Sequence, residues 1–137
     1  MKDKQKGDGS LLVELEKAWY GTAAASALWH EEITGTLIDK CGYTRHPLVS
    51  CLFYKDLPDG KRGHIMLHVG DLCVMVPEDG VEKRKLKDIL TKCYGEMRIQ
   101  DNDAFTYVGV DCEWSEDRNC LKLGMSKRIL KLCDKFN

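Results

Sequence analysis

Asp71 is the residue from which chemistry can be argued first. It lies beside Gly70 between two apolar runs, Ile65-Met66-Leu67-His68-Val69 and Leu72-Cys73-Val74-Met75-Val76. Apolar runs broken once by a small and an acidic residue read as a β-hairpin with a carboxylate at its tip. A packed hairpin fixes oxygens well enough to bind divalent ions, and phosphoryl transfer often uses two such ions roughly 3.5–4 Å apart. One carboxylate can help hold a single Mg²⁺ loosely, through waters and substrate phosphates, but not a pair. Asp71 is therefore a candidate catalytic and metal-binding residue; the plain alternative is that Gly-Asp serves the turn alone. His64 and His68 fall on one strand face, opposite Ile65, Leu67 and Val69. They suggest metal ligands, yet two histidines without a third placed ligand are more often ordinary polar residues.

The elements that must position Asp71 follow from periodicity. Leu28, Ile33, Leu37, Ile38 and Cys41 recur at helical spacing and Gly42 supplies a stop, which predicts a helix over 23–41. A short strand at 51–54, a turn through Leu57-Pro58-Asp59-Gly60-Lys61 and hairpin strands at 63–69 and 72–76 come next. Pro77-Glu78-Asp79-Gly80 opens a second helix with Leu86, Ile89, Leu90 and Cys93 inward, acids in its first turn and an end near Gly95. A strand at 105–114 pairs with one at 120–123, and a last helix turns Ile129, Leu132, Cys133 and Phe136 inward. The expected fold is α+β: an antiparallel sheet with a central hairpin and helices packed on one face. Residues 1–10 read as a flexible polar tail without the apolar core of a signal peptide.

Composition narrows the setting. A 137-residue chain with 43% hydrophobic content can hold one domain with a core. The longest apolar run is far short of the roughly 20 residues a membrane helix needs. Seven cysteines, odd in number and without a Cys-x-x-Cys pair, argue against a zinc site and a disulfide framework. They point to an intracellular, reducing location, cytoplasmic or nuclear. With 21 basic and 22 acidic residues the chain lacks the basic excess of dedicated nucleic-acid domains. Its charges are segregated, however. Residues 101–117 hold six carboxylates and no Lys or Arg, whereas the stretch from Lys122 onward holds five bases and one acid. Lys127, Lys131 and Lys135 repeat every four residues with Arg128 adjacent, and would form one stripe on a helix. Lys17, Lys127, Arg128 and Lys131 are candidate phosphate contacts, the plainer reading being a solvated surface.

Several blocks occur together in a recognisable order: Leu15-Glu16-Lys17-Ala18-Trp19-Tyr20-Gly21, Leu28-Trp29-His30, Cys41-Gly42-Tyr43, Cys51-Leu52-Phe53, the 66–72 hairpin, Tyr107-Val108-Gly109-Val110, and Ile129-Leu130 with Phe136. In order and spacing they resemble copia-type retrotransposon reverse transcriptases over 15–137. The resemblance implies a partial polymerase palm-like domain over 11–137, Mg²⁺ as cofactor and a nucleic-acid template-primer as partner. It also implies that activity is lost. His68-Val69-Gly70-Asp71 stands where the family has Tyr-Val-Asp-Asp, and Thr22-Ala23-Ala24-Ala25-Ser26 stands where it usually has Leu-Lys-Gln-Ala-Pro. The family's upstream aspartate strand has only the polar segment 1–10 in its place, so an open sheet edge that could take a protein partner is expected. The reading favoured by these departures is a decayed, inactive transposon remnant. The alternative is a non-catalytic nucleic-acid- or protein-binding module.

Overall fold

The computed structural model describes residues 4–5, 11–12, 16–19, 21–58, 60–77 and 80–136. Two short strands, β1 (Lys4–Gln5) and β2 (Leu11–Leu12), pair antiparallel. The rest of the expected tail lies outside the described residues. Helix α1 (Ala23–Gly35) starts at Thr22, whose side chain accepts from the Ala25 amide at 3.3 Å and so satisfies a first-turn donor. The helix runs on as a π turn over Thr36–Lys40. The wider turn leaves Ile33, Leu37 and Cys41 all buried, so the expected helix over 23–41 ends in a looser turn than its periodicity implied.

A four-stranded antiparallel sheet follows: β3 (Thr44–Arg45), β4 (Leu52–Asp56), β5 (Arg62–His68) and β6 (Asp71–Met75), paired in that order. Along β5, Gly63, Ile65 and Leu67 are buried while His64, Met66 and His68 are not. This is the alternation of a sheet with one core face. Gly63 is required by a close approach, because a Cβ there would lie 3.3 Å from both Tyr43 Oη and Val76 Cγ1. Helix α2 (Val81–Tyr94) buries Leu86 and Leu90 and ends at Gly95, whose φ of 85° suits glycine. Glu82 is the acid in its first turn; Glu78 and Asp79 lie outside the described residues. Ile33, Leu37, Phe53, Ile65, Leu67, Leu86 and Leu90 form one core, so α1 and α2 share a face of the sheet.

One charged contact ties these layers together. Lys55 Nζ on β4 lies 2.8 Å from Glu82 Oε1 and donates to the Cys41 carbonyl at 2.8 Å. It also stands 5.4 Å from the centre of the Tyr43 ring. The Glu82 side chain is only 9% exposed, and a buried carboxylate without a partner is costly.

Two expectations fail. The strand predicted over 105–114 is two strands, β7 (Ala104–Tyr107) and β8 (Val110–Trp114), and with β9 (Leu121–Gly124) they form a separate three-stranded sheet. Val108 and Gly109 make the tight turn between β7 and β8, with φ of 52° and 78°. A β-branched residue is rare at positive φ, so Val108 disguised the turn. The last helix, α3 (Ser126–Phe136), buries none of its residues, and Ile129, Leu132, Cys133 and Phe136 do not point into the core. Periodicity showed that α3 has an apolar side, not what that side meets. The architecture is α+β, with the core built from two helices and one of the two larger sheets.

Replacing Val108 by Asn gives the Asn-Gly pair that turns of this kind favour. Val108→Asn is expected to stabilise the chain by about 1 kcal/mol in urea unfolding, through relief of strain at φ > 0; a loss of stability would contradict the turn. Burial pushes the Cys41 thiol up from 9.0 to about 11. It pushes the Tyr43 phenol up as well, with the Glu82 carboxylate adding to the effect. Below pH 9.0 both folded and unfolded thiols keep the proton, and from there to about 11 only the unfolded thiol loses it. Stability therefore falls as pH rises through this window. Cys41→Ala is expected to flatten that slope in urea midpoints measured across it.

Candidate functional site

His68 and Asp71 face each other in register, so Val69 and Gly70 alone make the tip of the central hairpin. Val69 takes a φ of 51°. Its carbonyl accepts a 2.7 Å hydrogen bond from Trp29 Nε1, which fixes the tip against α1. The Trp29 ring in turn meets Tyr94 edge-on, with centroids 5.1 Å apart. Tyr94 Oη shares a 2.7 Å hydrogen bond with Thr36 Oγ1. A chain of contacts from α2 through the π turn and α1 thus holds the loop that carries Asp71.

Asp71 itself is exposed. Burial raises the Tyr107 phenol above its ordinary range, and the Cys73 thiol and the Asp71 charge add to the shift. Tyr107 Oη donates to the Met66 carbonyl at 3.0 Å, joining the two larger sheets. Gly70 is not in the left-handed region, and a Cβ there would meet nothing within 4 Å. The tip would accept a side chain at this position. Among the described residues no three His, Cys, Asp or Glu side chains gather as a metal site. His64 and His68 share the face turned away from the core.

The candidate phosphate contacts do not converge on the tip. Lys17 is exposed in the segment before α1. Lys127 sits at the start of α3, 3.7 Å from Asp111 Oδ1. Arg128 lies across the β7–β8 turn, where a Cβ on Gly109 would come 3.0 Å from its Nη1. Lys131 is exposed further along α3. The acids of 101–117 are partly paired: Asp101 with Lys83, and Asp103 with Arg118. The Lys83 ammonium holds the Asp101 carboxyl below the usual carboxylate range.

A cavity of about 360 Å³ between the π turn and α2 was not anticipated; Lys40, Cys41, Lys55, Glu82 and Lys85 line it. Beside it Lys40 Nζ donates to Cys93 Sγ at 3.3 Å. Its walls come from positions far apart in the chain, so no local pattern signalled it. The role of Trp29 was also not legible, because an indole donor gives no clue to which carbonyl it will find. Trp29→Phe keeps the ring and removes the hydrogen bond. It is expected to cost about 1 kcal/mol and to speed amide hydrogen exchange at 68–72 more than in the core strands.

No family model and no solved structure matches the chain. No helix among the described residues is long and apolar enough to cross a membrane. The chain is 26% identical over 136 residues to the Transposon Ty1-NL2 Gag-Pol polyprotein of Saccharomyces cerevisiae (strain ATCC 204508 / S288c), a match covering 96% of the chain and 7% of that polyprotein. The chain is thus similar to a short segment of a transposon polyprotein, and the similarity supports a retrotransposon origin.

Proposed function

We propose that the chain is a segment of a copia-type reverse transcriptase, an RNA-directed DNA polymerase, in palm-like form, and that it is catalytically silent as it stands. The observation that carries this reading is the hairpin tip. A two-residue loop, held by Trp29, carries Asp71 after Gly70, where the resemblance implies two consecutive aspartates. The similarity to a Gag-Pol polyprotein supports the same lineage.

Silence follows from the donor set. The family's Mg²⁺ chemistry needs carboxylates that clamp two ions, and the tip offers the Asp71 carboxylate alone because Gly70 has no side-chain oxygen. These residues do not fit an ion pair. Loss of one well-placed stabilising group commonly costs roughly a hundred- to a thousand-fold in rate. A second reading is a non-catalytic module that keeps a nucleic-acid or protein partner. The exposed bases Lys17, Arg128 and Lys131 favour it, but Lys127 is partly engaged with Asp111. In either reading the chain acts inside the cell, in cytoplasm or nucleus, without a membrane.

Primer extension on an RNA template, with Mg²⁺ or Mn²⁺, is expected to give no product above background. Extension that Asp71→Asn abolishes would overturn the silence. The lineage has its own test in Gly70→Asp, which the backbone accommodates. Mg²⁺ titration followed by NMR is expected to shift residues 68–72 in that variant and barely in the parent. Absence of shifts in both would remove the tip's identity as a former metal box.

A further inference from the structure

The connection between β3 and β4, residues 46–51, has almost no apolar packing of its own. Leu48 and Val49 are 89% and 48% exposed, and Pro47, Ser50 and Cys51 are exposed as well. Its shape therefore rests on hydrogen bonds. The His46 amide donates to the Leu52 carbonyl at 2.8 Å and the Leu52 amide to the Val49 carbonyl at 3.0 Å, while Arg45 Nε donates to the Ser50 carbonyl at 2.8 Å. The remaining two bonds meet on one atom. The amides of Leu48 and Val49 both donate to His46 Nδ1, each at 3.2 Å.

A ring nitrogen that accepts these donors cannot itself carry a proton, so the imidazole is neutral with its hydrogen on Nε2. Turns that fold a side-chain acceptor back onto amides two and three positions ahead ordinarily use Asn, Asp or Ser. With histidine in that place, the acceptor is one that protonation removes, in the pH range where histidines change charge. Once Nδ1 gains a proton it points a third N–H at the two amides, and both bonds are lost. The ring is open to this change, being half-buried and lining a cavity of about 330 Å³ with Arg45, Pro47, Leu48 and Ser50. The charged and titratable groups around it are few. Leu52 follows opposite His46 in the β3–β4 register, with Tyr54 two positions on and His64 beyond it on β5. Cys51 Sγ lies 3.9 Å from His30 Nε2, and the π turn packed against β3 brings Asp39 and Lys40. Among the described residues none of these side chains bonds the imidazole. Arg45 adds a positive charge to the same loop, so an imidazolium there meets donors and a like charge, with no paired carboxylate to hold it.

We propose that His46 is a pH-sensitive latch: neutral, it closes the β3–β4 loop by accepting the Leu48 and Val49 amides, and protonation of Nδ1 releases the loop while the sheet and core stay folded. The strand pairing of β3, β4 and β5 and the core do not use the ring, so the opening is local.

Nitrogen NMR and amide exchange with solvent, measured on the full chain between about pH 8 and pH 5, test this. At the upper end the His46 ring nitrogens are expected to report the Nε2–H tautomer. As that ring gains its proton, protection of the Leu48 and Val49 amides is expected to fall about tenfold relative to an unstructured chain at the same pH. The fall follows the His46 ring rather than those of His30, His64 or His68, and the Phe53 and Ile65 amides in the core strands keep their protection. His46→Asn supplies an oxygen acceptor that does not titrate, so both loop amides stay protected at either end of the range. His46→Ala leaves them unprotected throughout. Protection that survives protonation of the His46 ring, a fall shared with the core strands, or an Asn variant that still responds to pH overturns the proposal.

Discussion

The ammonium of Lys55 is the contact on which the rest of the domain is assembled. From near the end of β4 it reaches the carbonyl of Cys41, just past the π turn, and the carboxylate of Glu82 in the first turn of α2. Both are places where a helix welcomes that charge: a cation beside carbonyls at a C-terminus and an anion beside amides at an N-terminus. The Tyr43 ring takes the remaining side. The Lys55 ammonium is thus held by an ion pair, a backbone acceptor and an aromatic face, and the nearly buried Glu82 carboxylate keeps a direct, well-placed partner. Fixing α1 and α2 to the sheet at this point brings Trp29 and Tyr94 within reach of each other and of the hairpin.

The tip is consequently a platform held by packed, uncharged groups. Its position depends on Trp29, Tyr94 and Thr36, none of which carries charge, and that scaffold does not require Gly70 to be an aspartate or anything else. A side chain at position 70 would meet nothing within 4 Å. One can therefore be present or absent there without disturbing the hairpin. The converse does not hold: a change at Trp29 or Lys55 disturbs the tip without touching a single candidate ligand.

The central hairpin, both core helices and the split between the faces of β5 were legible in the sequence, because each rests on local alternation that only one arrangement buries. The turn at Val108-Gly109 was hidden because a β-branched residue occupies a position that ordinarily asks for Asn or Asp. The inward side of α3 was misjudged for a different reason. Amphipathicity is a property of one segment, whereas burial needs a partner surface that one segment cannot specify. At the site, Asp71 could be found by its place between two apolar runs. The bond that aims it could not, since an indole N–H donates across 40 positions to a backbone carbonyl with no side-chain identity. The cavity beside Lys40 and Cys93 was invisible for the same reason.

Both larger sheets are built entirely from strands that pair with their neighbours in sequence, in the orders β3-β4-β5-β6 and β7-β8-β9. No strand crosses over another to find its partner, so each pairing closes only a short loop and loses little chain entropy before contacts form. This is a low contact-order arrangement, of the sort that folds quickly and in successive hairpins. The docking of α1 cannot be completed early, because Trp29 meets a hairpin 40 positions later in the chain. During synthesis at about 5–20 residues per second, α1 waits several seconds for that surface to exist.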